Sequence, residues 1–148
     1  AASATERMRI PKTGAFSLNN GELVERCYIN STAWSTNGDL NLDNGMVQYN
    51  SANLAGTNNT LNITSSVGIN TQLATGDMIS VTAITAVNAT SAYVNHITID
   101  HTAVTENWVG GSAPSAGGGS GLDTYAFNII KTGSRKNKLF ILRRMFII

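Results

Sequence analysis

Met78-Ile79-Ser80-Val81-Thr82-Ala83-Ile84-Thr85-Ala86-Val87 is the stretch whose pattern decides the fold. Met78, Ser80, Thr82 and Ile84 fall on one side of an extended backbone, with Ile79, Val81 and Ala83 on the other. Its β-branched residues suit a pleated surface, and Asn88 to Ser91 supplies a turn after it. The longest strand of the domain is expected here.

Shorter segments of the same kind lie on both sides. Upstream, Asp39-Leu40-Asn41-Leu42 alternates and meets the tight-turn signal Asp43-Asn44-Gly45, after which Met46 to Tyr49 resumes the pattern. Thr60-Leu61-Asn62-Ile63-Thr64 sets Leu61 and Ile63 against three polar residues. Asn70 to Asp77 reads as a loop, with a turn or two of helix allowed near Leu54 or Thr71. Downstream, Ala92 to Asp100 gives a strand with Ile97 and Ile99 inward, and Ser112 to Gly121 a flexible Gly/Ser/Pro loop. Tyr125, Phe127 and Ile129 mark a late strand, and Leu139 onward a final one. Glu22 to Ile29 reads as a further strand and Met8-Arg9-Ile10 as a short one. Strands of this length need two sheets packed face to face. The expectation is therefore an all-β domain, an antiparallel β-sandwich of jelly-roll type with seven to eight short strands over 37–148. An extended N-terminal arm over 1–36 precedes it.

Composition agrees. Of 148 residues, 17 are Asn, 17 Thr and 13 Ser, while charged residues make up only 13%. Between Cys27 and Ile130 there is no Lys or Arg, yet Asp39, Asp43, Asp77, Asp100, Glu106 and Asp123 lie there. A surface that neutralises phosphates needs distributed Lys and Arg, so nucleic acid is not an expected partner. Six of the ten basic residues crowd between Lys131 and Arg144. The apolar run Leu139 to Ile148 is broken by Arg143 and Arg144 and is too short to insert in a membrane. Cys27 stands alone, which excludes an intrachain disulfide and a cysteine-based metal site. The chain begins at Ala1 rather than Met and is read as a fragment or a processed product.

The search for chemistry returns little. His96 shares a strand face with Thr98 and Asp100, while His101 falls on the opposite side, so the two rings do not converge on one metal. No Gly-x-Ser-x-Gly elbow, phosphate-binding loop or dinucleotide motif is present. Paired carboxylates could in principle cleave a glycosidic bond, but Asp43, Asp77 and Asp123 sit beside Gly or loop residues, where turn capping explains them. No catalytic residue, metal or cofactor is assigned. Among the aromatics, Tyr49, Tyr93, Trp34 and Trp108 can stack on sugar rings. Trp108 and Tyr125 also suit the plainer role of core or interface anchors. The residues assigned to receptor or glycan contact are Trp108, Tyr93, Tyr49 and Asn107.

Two stretches carry a resemblance. Thr5-Glu6-Arg7-Met8-Arg9-Ile10, followed by Pro11-Lys12-Thr13-Gly14, resembles a shaft repeat of phage tail fibres. Asp43 through Thr132 is similar to a domain of structural proteins from marine phages, cyanophages especially. Its most specific parts are Ala74-Thr75-Gly76-Asp77, Ile99-Asp100-x-x-Ala103-Val104-Thr105, Trp108-x-Gly110-Gly111-x-Ala113-Pro114 and Tyr125-x-Phe127-x-Ile129-Ile130-Lys131-Thr132. The resemblance implies a homotrimeric virion appendage that attaches to a host-surface glycan or protein, with no catalytic residues to carry over. A head-decoration, collar or other assembly module that binds virion proteins is the alternative, and a polysaccharide depolymerase a third class. Relatives often place Gly after Asp100, so His101 is expected at positive φ. The segment 135–148 departs from the pattern. Its apolar residues Leu139, Ile141, Met145, Phe146 and Ile148 are assigned to a subunit interface, because an exposed apolar strand invites aggregation.

Overall fold

In the computed structural model the described residues are 21–35, 38–133 and, for the backbone, 136–146. The chain forms β1 (Cys27–Asn30), β2 (Gly38–Asn41), β3 (Val47–Asn53), β4 (Asn59–Thr64), β5 (Met78–Ala86), β6 (Val94–Ile99), β7 (Thr102–Ala103), β8 (Thr105–Trp108), β9 (Leu122–Gly133) and β10 (Lys136–Phe146). A 3-10 turn at Leu42–Asn44 and the one-turn helix α1 (Ile69–Gln72) are the other regular elements. Met8–Ile10 lies outside the described residues. Within the segment 1–36, β1 pairs with β3 and Trp34 is buried in the core.

The expected antiparallel jelly roll is not what forms. One sheet runs β1-β3-β5-β9-β10-β8 and the other β2-β4-β6-β7, and both are mixed. The pairs β1–β3, β3–β5, β2–β4, β4–β6 and β10–β8 are parallel, while β5–β9, β9–β10 and β6–β7 are antiparallel. From β1 to β6, successive strands alternate between the sheets, so the chain winds as a coil. Each strand stacks beside the one two places earlier. Val47 pairs with Cys27 and Thr82 with Val47 on one side, Leu61 with Gly38 and Ile97 with Leu61 on the other. Parallel neighbours need a crossover connection, and here the crossover is the intervening strand of the opposite sheet. Period-two alternation identifies a strand with one covered face but carries no information about its direction. The two short strands β7 and β8 were not expected, which raises the count above seven to eight.

The core lies between the sheets. Leu40, Leu61, Ile63, Ile97 and Ile99 face it from the four-stranded sheet, and Val81, Ala83, Tyr125, Phe127 and Ile129 from the six-stranded one. The rings of Tyr125 and Phe127 lie nearly parallel, with centroids 6.4 Å apart. Burying each large apolar side chain stabilises the fold by about 2 kcal/mol before chain entropy is subtracted. Two of the polar residues that enter this interior find partners close by. Gln48 donates through Nε2 to the carbonyls of Asn41 and Gly45, and the Tyr125 hydroxyl accepts from the Val94 amide while donating to Asp123.

The loop expected to be flexible is packed. Gly117 is buried, and its amide donates to the Thr90 carbonyl at 2.7 Å. A Cβ there would stand 2.3 Å from the Ala92 carbonyl oxygen, closer than atoms can approach. Gly118 donates to the Asp123 carboxylate, which pins the loop to β9. Gly117→Ala is therefore expected to cost about 3 kcal/mol in urea denaturation, whereas Ser120→Ala, at an exposed position of the same loop, stays within about 0.5 kcal/mol of wild type. Equal midpoints for the two variants would contradict this packing.

Candidate functional site

The carboxyl ends of β4 and β6 open onto a cleft of about 890 Å3, bounded by the loop 64–71, the β6–β7 turn, the start of β8 and Thr132. Asp100 organises it. Asp100 and His101 are the two central residues between the paired Ile99 and Thr102, and both adopt positive φ, 48° and 59°. Tight hairpin turns of the primed type need this backbone, and Asp and His tolerate it better than most residues. The turn turns the Asp100 side chain back onto the loop. Its Oδ1 accepts from the Thr64 hydroxyl at 3.2 Å and the Ile69 amide at 3.0 Å, and its Oδ2 from the Asn70 amide at 2.8 Å. Gly68, at φ 85°, permits that approach, since a Cβ would lie 3.3 Å from Asp100 Oδ2. At the other end of α1, the buried Lys131 donates from Nζ to the carbonyls of Asn70 and Leu73. One carboxylate and one ammonium thus satisfy both ends of a helix too short to hold itself.

His101 is fixed by a second network on the outer face of the four-stranded sheet. Asp39, Asn62 and Thr98 are register neighbours there. Asn62 Oδ1 accepts from the His101 amide at 2.7 Å and from the Thr98 hydroxyl at 2.9 Å, which settles the orientation of the side-chain amide. Asn62 Nδ2 then donates to Asp39 Oδ1 at 2.9 Å and faces His101 Nε2 at 3.3 Å. Since Nδ2 can only donate, Nε2 must accept, and the neutral ring carries its proton on Nδ1.

Among the described residues, the walls of the cleft are polar and almost without charge. Ser66, Thr71, His101, Thr102 and Thr105 are exposed in it, and Val67 and Ala103 add exposed apolar surface. Two lining atoms are buried without a hydrogen-bond partner, Ser65 Oγ and Asn70 Oδ1. Such orphaned groups cost about 1–3 kcal/mol each and are uncommon in folded proteins.

Every carboxylate of the body is used structurally. Asp43 accepts from the Ser66 amide, Asp77 from the Ala74 amide, and Asp123 from the Gly118 amide. Glu106 accepts from the Ile97 amide at 2.8 Å and from Trp108 Nε1 at 2.9 Å, with His96 Nδ1 at 3.7 Å. Among the described residues, no group of three or more His, Cys, Asp or Glu could hold a metal ion, and no helix is long and apolar enough to cross a membrane.

The residues assigned to receptor contact do not converge. Tyr49 is half-buried in β3, in register with Ile29 and Ile84 in the six-stranded sheet. Tyr93 borders a separate recess with Asn58 and Thr90. Trp108 packs against the core, and Asn107 is exposed beside it in β8. In the C-terminal strand, Leu139, Ile141 and Met145 are register partners of Ile129, Phe127 and Asp123, while Phe146 is paired with Leu122. Ile148 lies outside the described residues. The cleft was missed because Ser and Thr give no chemical signature in a chain so rich in both. The usable signal was Ile99-Asp100-x-x-Ala103-Val104-Thr105, all of whose named residues line it. No family model, curated protein or solved structure matches the chain.

Two outcomes test this geometry. Asp100→Ala, which strands two amides and a hydroxyl, should cost about 3 kcal/mol of unfolding free energy, and Lys131→Met about 2 kcal/mol. Long-range 15N–1H correlation spectra should show neutral His101 in the Nδ1–H form, and Asn62→Ala should let the other tautomer appear. A predominantly Nε2–H ring in the wild type would refute the assigned network.

Proposed function

We propose that the chain is a bacteriophage virion structural protein, a non-catalytic tail-fibre-type module that acts as a homotrimer in attachment to a host-surface glycan or protein. The observation that carries this reading is the winding of β1–β6. A coil that advances by stacking strand on strand extends along one axis, as a slender appendage must, and depends on neighbour contacts rather than on a cofactor or disulfide. The resemblance of Thr5–Ile10 and of Asp43–Thr132 to phage proteins supports the same reading. So does a body whose acidic side chains serve as backbone acceptors, with no pair left over for general acid and base work.

A second reading, an assembly module such as a head-decoration or collar protein, is favoured by one surface. Leu23, Val24 and Ile29 are 80%, 84% and 66% exposed, next to Tyr28 at 38%, where β1 forms the outer edge of its sheet among the described residues. Apolar side chains gathered at a sheet edge fit contact with another protein.

Light scattering during size exclusion is expected to give the mass of three chains. A monomer at micromolar concentration would end the trimeric reading. Fluorescently labelled protein should then stain host cells, and Val24→Glu/Ile29→Glu should leave the staining intact. Loss of staining with the trimer preserved would shift the assignment towards assembly.

A further inference from the structure

We propose that the outward face of the six-stranded sheet is where copies of this chain meet, an inference that rests on the homotrimer reading and gives it a surface. Alternation along β3, β5 and β9 sorts their residues into two sides. Gln48, Val81, Ala83, Tyr125 and Phe127 are buried, so Val47, Tyr49, Thr82, Ile84 and Ala126 fall on the opposite side, where they are half-buried. The register aligns these outward residues in rungs. Val47 lies beside Thr82 and Thr82 beside Ala126, while Tyr49 lies beside Ile84 and Ile84 beside Thr124. A polar pair on the same side answers itself, since the Ser80 hydroxyl donates to Asn128 Oδ1 at 2.7 Å. The outward face of the four-stranded sheet is of another kind. Its positions include Asp39, Thr60, Asn62, His96 and Thr98, with no large apolar side chain among them. In β3, β5 and β9, by contrast, no outward position carries a charge. The first face suits water, and the second suits a protein cover.

A second copy of the chain is the occupant that fits. Five strands from β1 to β10 at ~4.8 Å spacing, and the nine residues of β5 at ~3.4 Å each, make a face of about 24 by 30 Å. Its area, about 700 Å2, is close to the ~800 Å2 that each partner buries in a stable interface. Apolar, uncharged contact of this size belongs to subunits that stay together, whereas transient partners meet through more polar surfaces. The basic positions of β10 lie at the margin. Lys138 and Arg144 are register partners of Ile130 and Thr124, two strands from β5, and Lys136 is paired with Gly133 at the end of the hairpin. Interface rims are polar and wet, so cations there do not oppose an apolar centre. The same register revises the interface residues read from the sequence. Leu139 and Ile141 pair with the core residues Ile129 and Phe127, whereas Phe140 and Leu142 pair with Asn128 and Ala126.

The test is light scattering during size exclusion on Ile84→Lys and Ala126→Lys, each of which sets a cation in the middle of the face. Thr60→Lys, on the outward face of the other sheet, is the control. The first two should elute with the mass of one chain at micromolar concentration and the third with the mass of three. All should keep the far-ultraviolet spectrum of the wild type. A trimer that survives both face variants would overturn the proposal, and so would a monomeric Thr60→Lys. Where a variant fails to fold, the wild-type chain decides. In a soluble gadolinium chelate, the methyl resonances of Val47, Thr82, Ile84 and Ala126 should be relaxed less than those of Thr60 and Thr98, and equal relaxation would sink the proposal. If the wild type is a trimer and the face variants remain trimeric, the homotrimer reading stands and only the surface falls. A monomeric wild type removes the homotrimer reading, and the surface with it.

Discussion

A strand that leaves one sheet and enters the other must return to the first running in its original direction, and this constraint shapes the molecule. It makes β1, β3 and β5 parallel to one another, and β2, β4 and β6 likewise. It also explains why these parallel strands alternate in polarity rather than reading as continuous apolar runs. Each covers only one face, against the opposite sheet, whereas the parallel strands of α/β proteins are covered on both. The hairpin of β9 and β10 then runs antiparallel beside β5 and ends the winding. Loops gather at the strand ends, and the cleft opens at one of those ends because the connection from β4 to β5 and the turn after β6 leave the body side by side.

From Cys27 to Lys131 the chain holds seven charged side chains, and six of them complete the backbone. Asp100 and Lys131 hold the two ends of α1, Asp123 fixes the 112–121 loop, and Glu106 reaches from β8 to an amide of β6 in the other sheet. A carboxylate accepting from amides does the work that a longer helix or a wider sheet would do with its own carbonyls. Between Cys27 and Ile130 the surface is left largely to Asn, Thr and Ser, which hydrate well and attract no partner by charge. Recognition by such a surface has to come from shape and from matched donors and acceptors.

Strand positions were legible in the sequence where alternation was long and bounded by turn residues. Met78–Val87 became β5, Thr60–Thr64 became β4, and the helical turn allowed near Thr71 became α1. His101 was expected at positive φ and sits at 59°. Direction was not legible, because it depends on which sheet the intervening strand joins, and side-chain alternation is the same either way. β7 is only two residues long, and the four residues of β8, Thr105-Glu106-Asn107-Trp108, carry no apolar alternation. The Gly-rich loop misled for a related reason. Glycine at 117 answers a close approach by Ala92, which no local sequence rule can separate from flexibility. The bonds that Asp100 and His101 make were not legible, since they depend on Ile69, Asn70 and Asn62, distant in sequence.

The bare interval between Arg26 and Lys131 has a consequence for proteolysis. Digestive and host enzymes of the trypsin class cut after Lys or Arg, and the folded body offers them neither over its whole coiled length. Lys131, the first such residue past the interval, is buried with its ammonium drawn against two carbonyls, so it cannot enter a primary specificity pocket while α1 is in place. Cleavage at the exposed Arg26 would leave β1 and everything after it intact. A scarcity of basic residues that looks like a compositional accident thus removes the cleavage sites of one large class of enzymes from β1 to the start of β9, and it operates through side-chain chemistry rather than through the stability of the sheets.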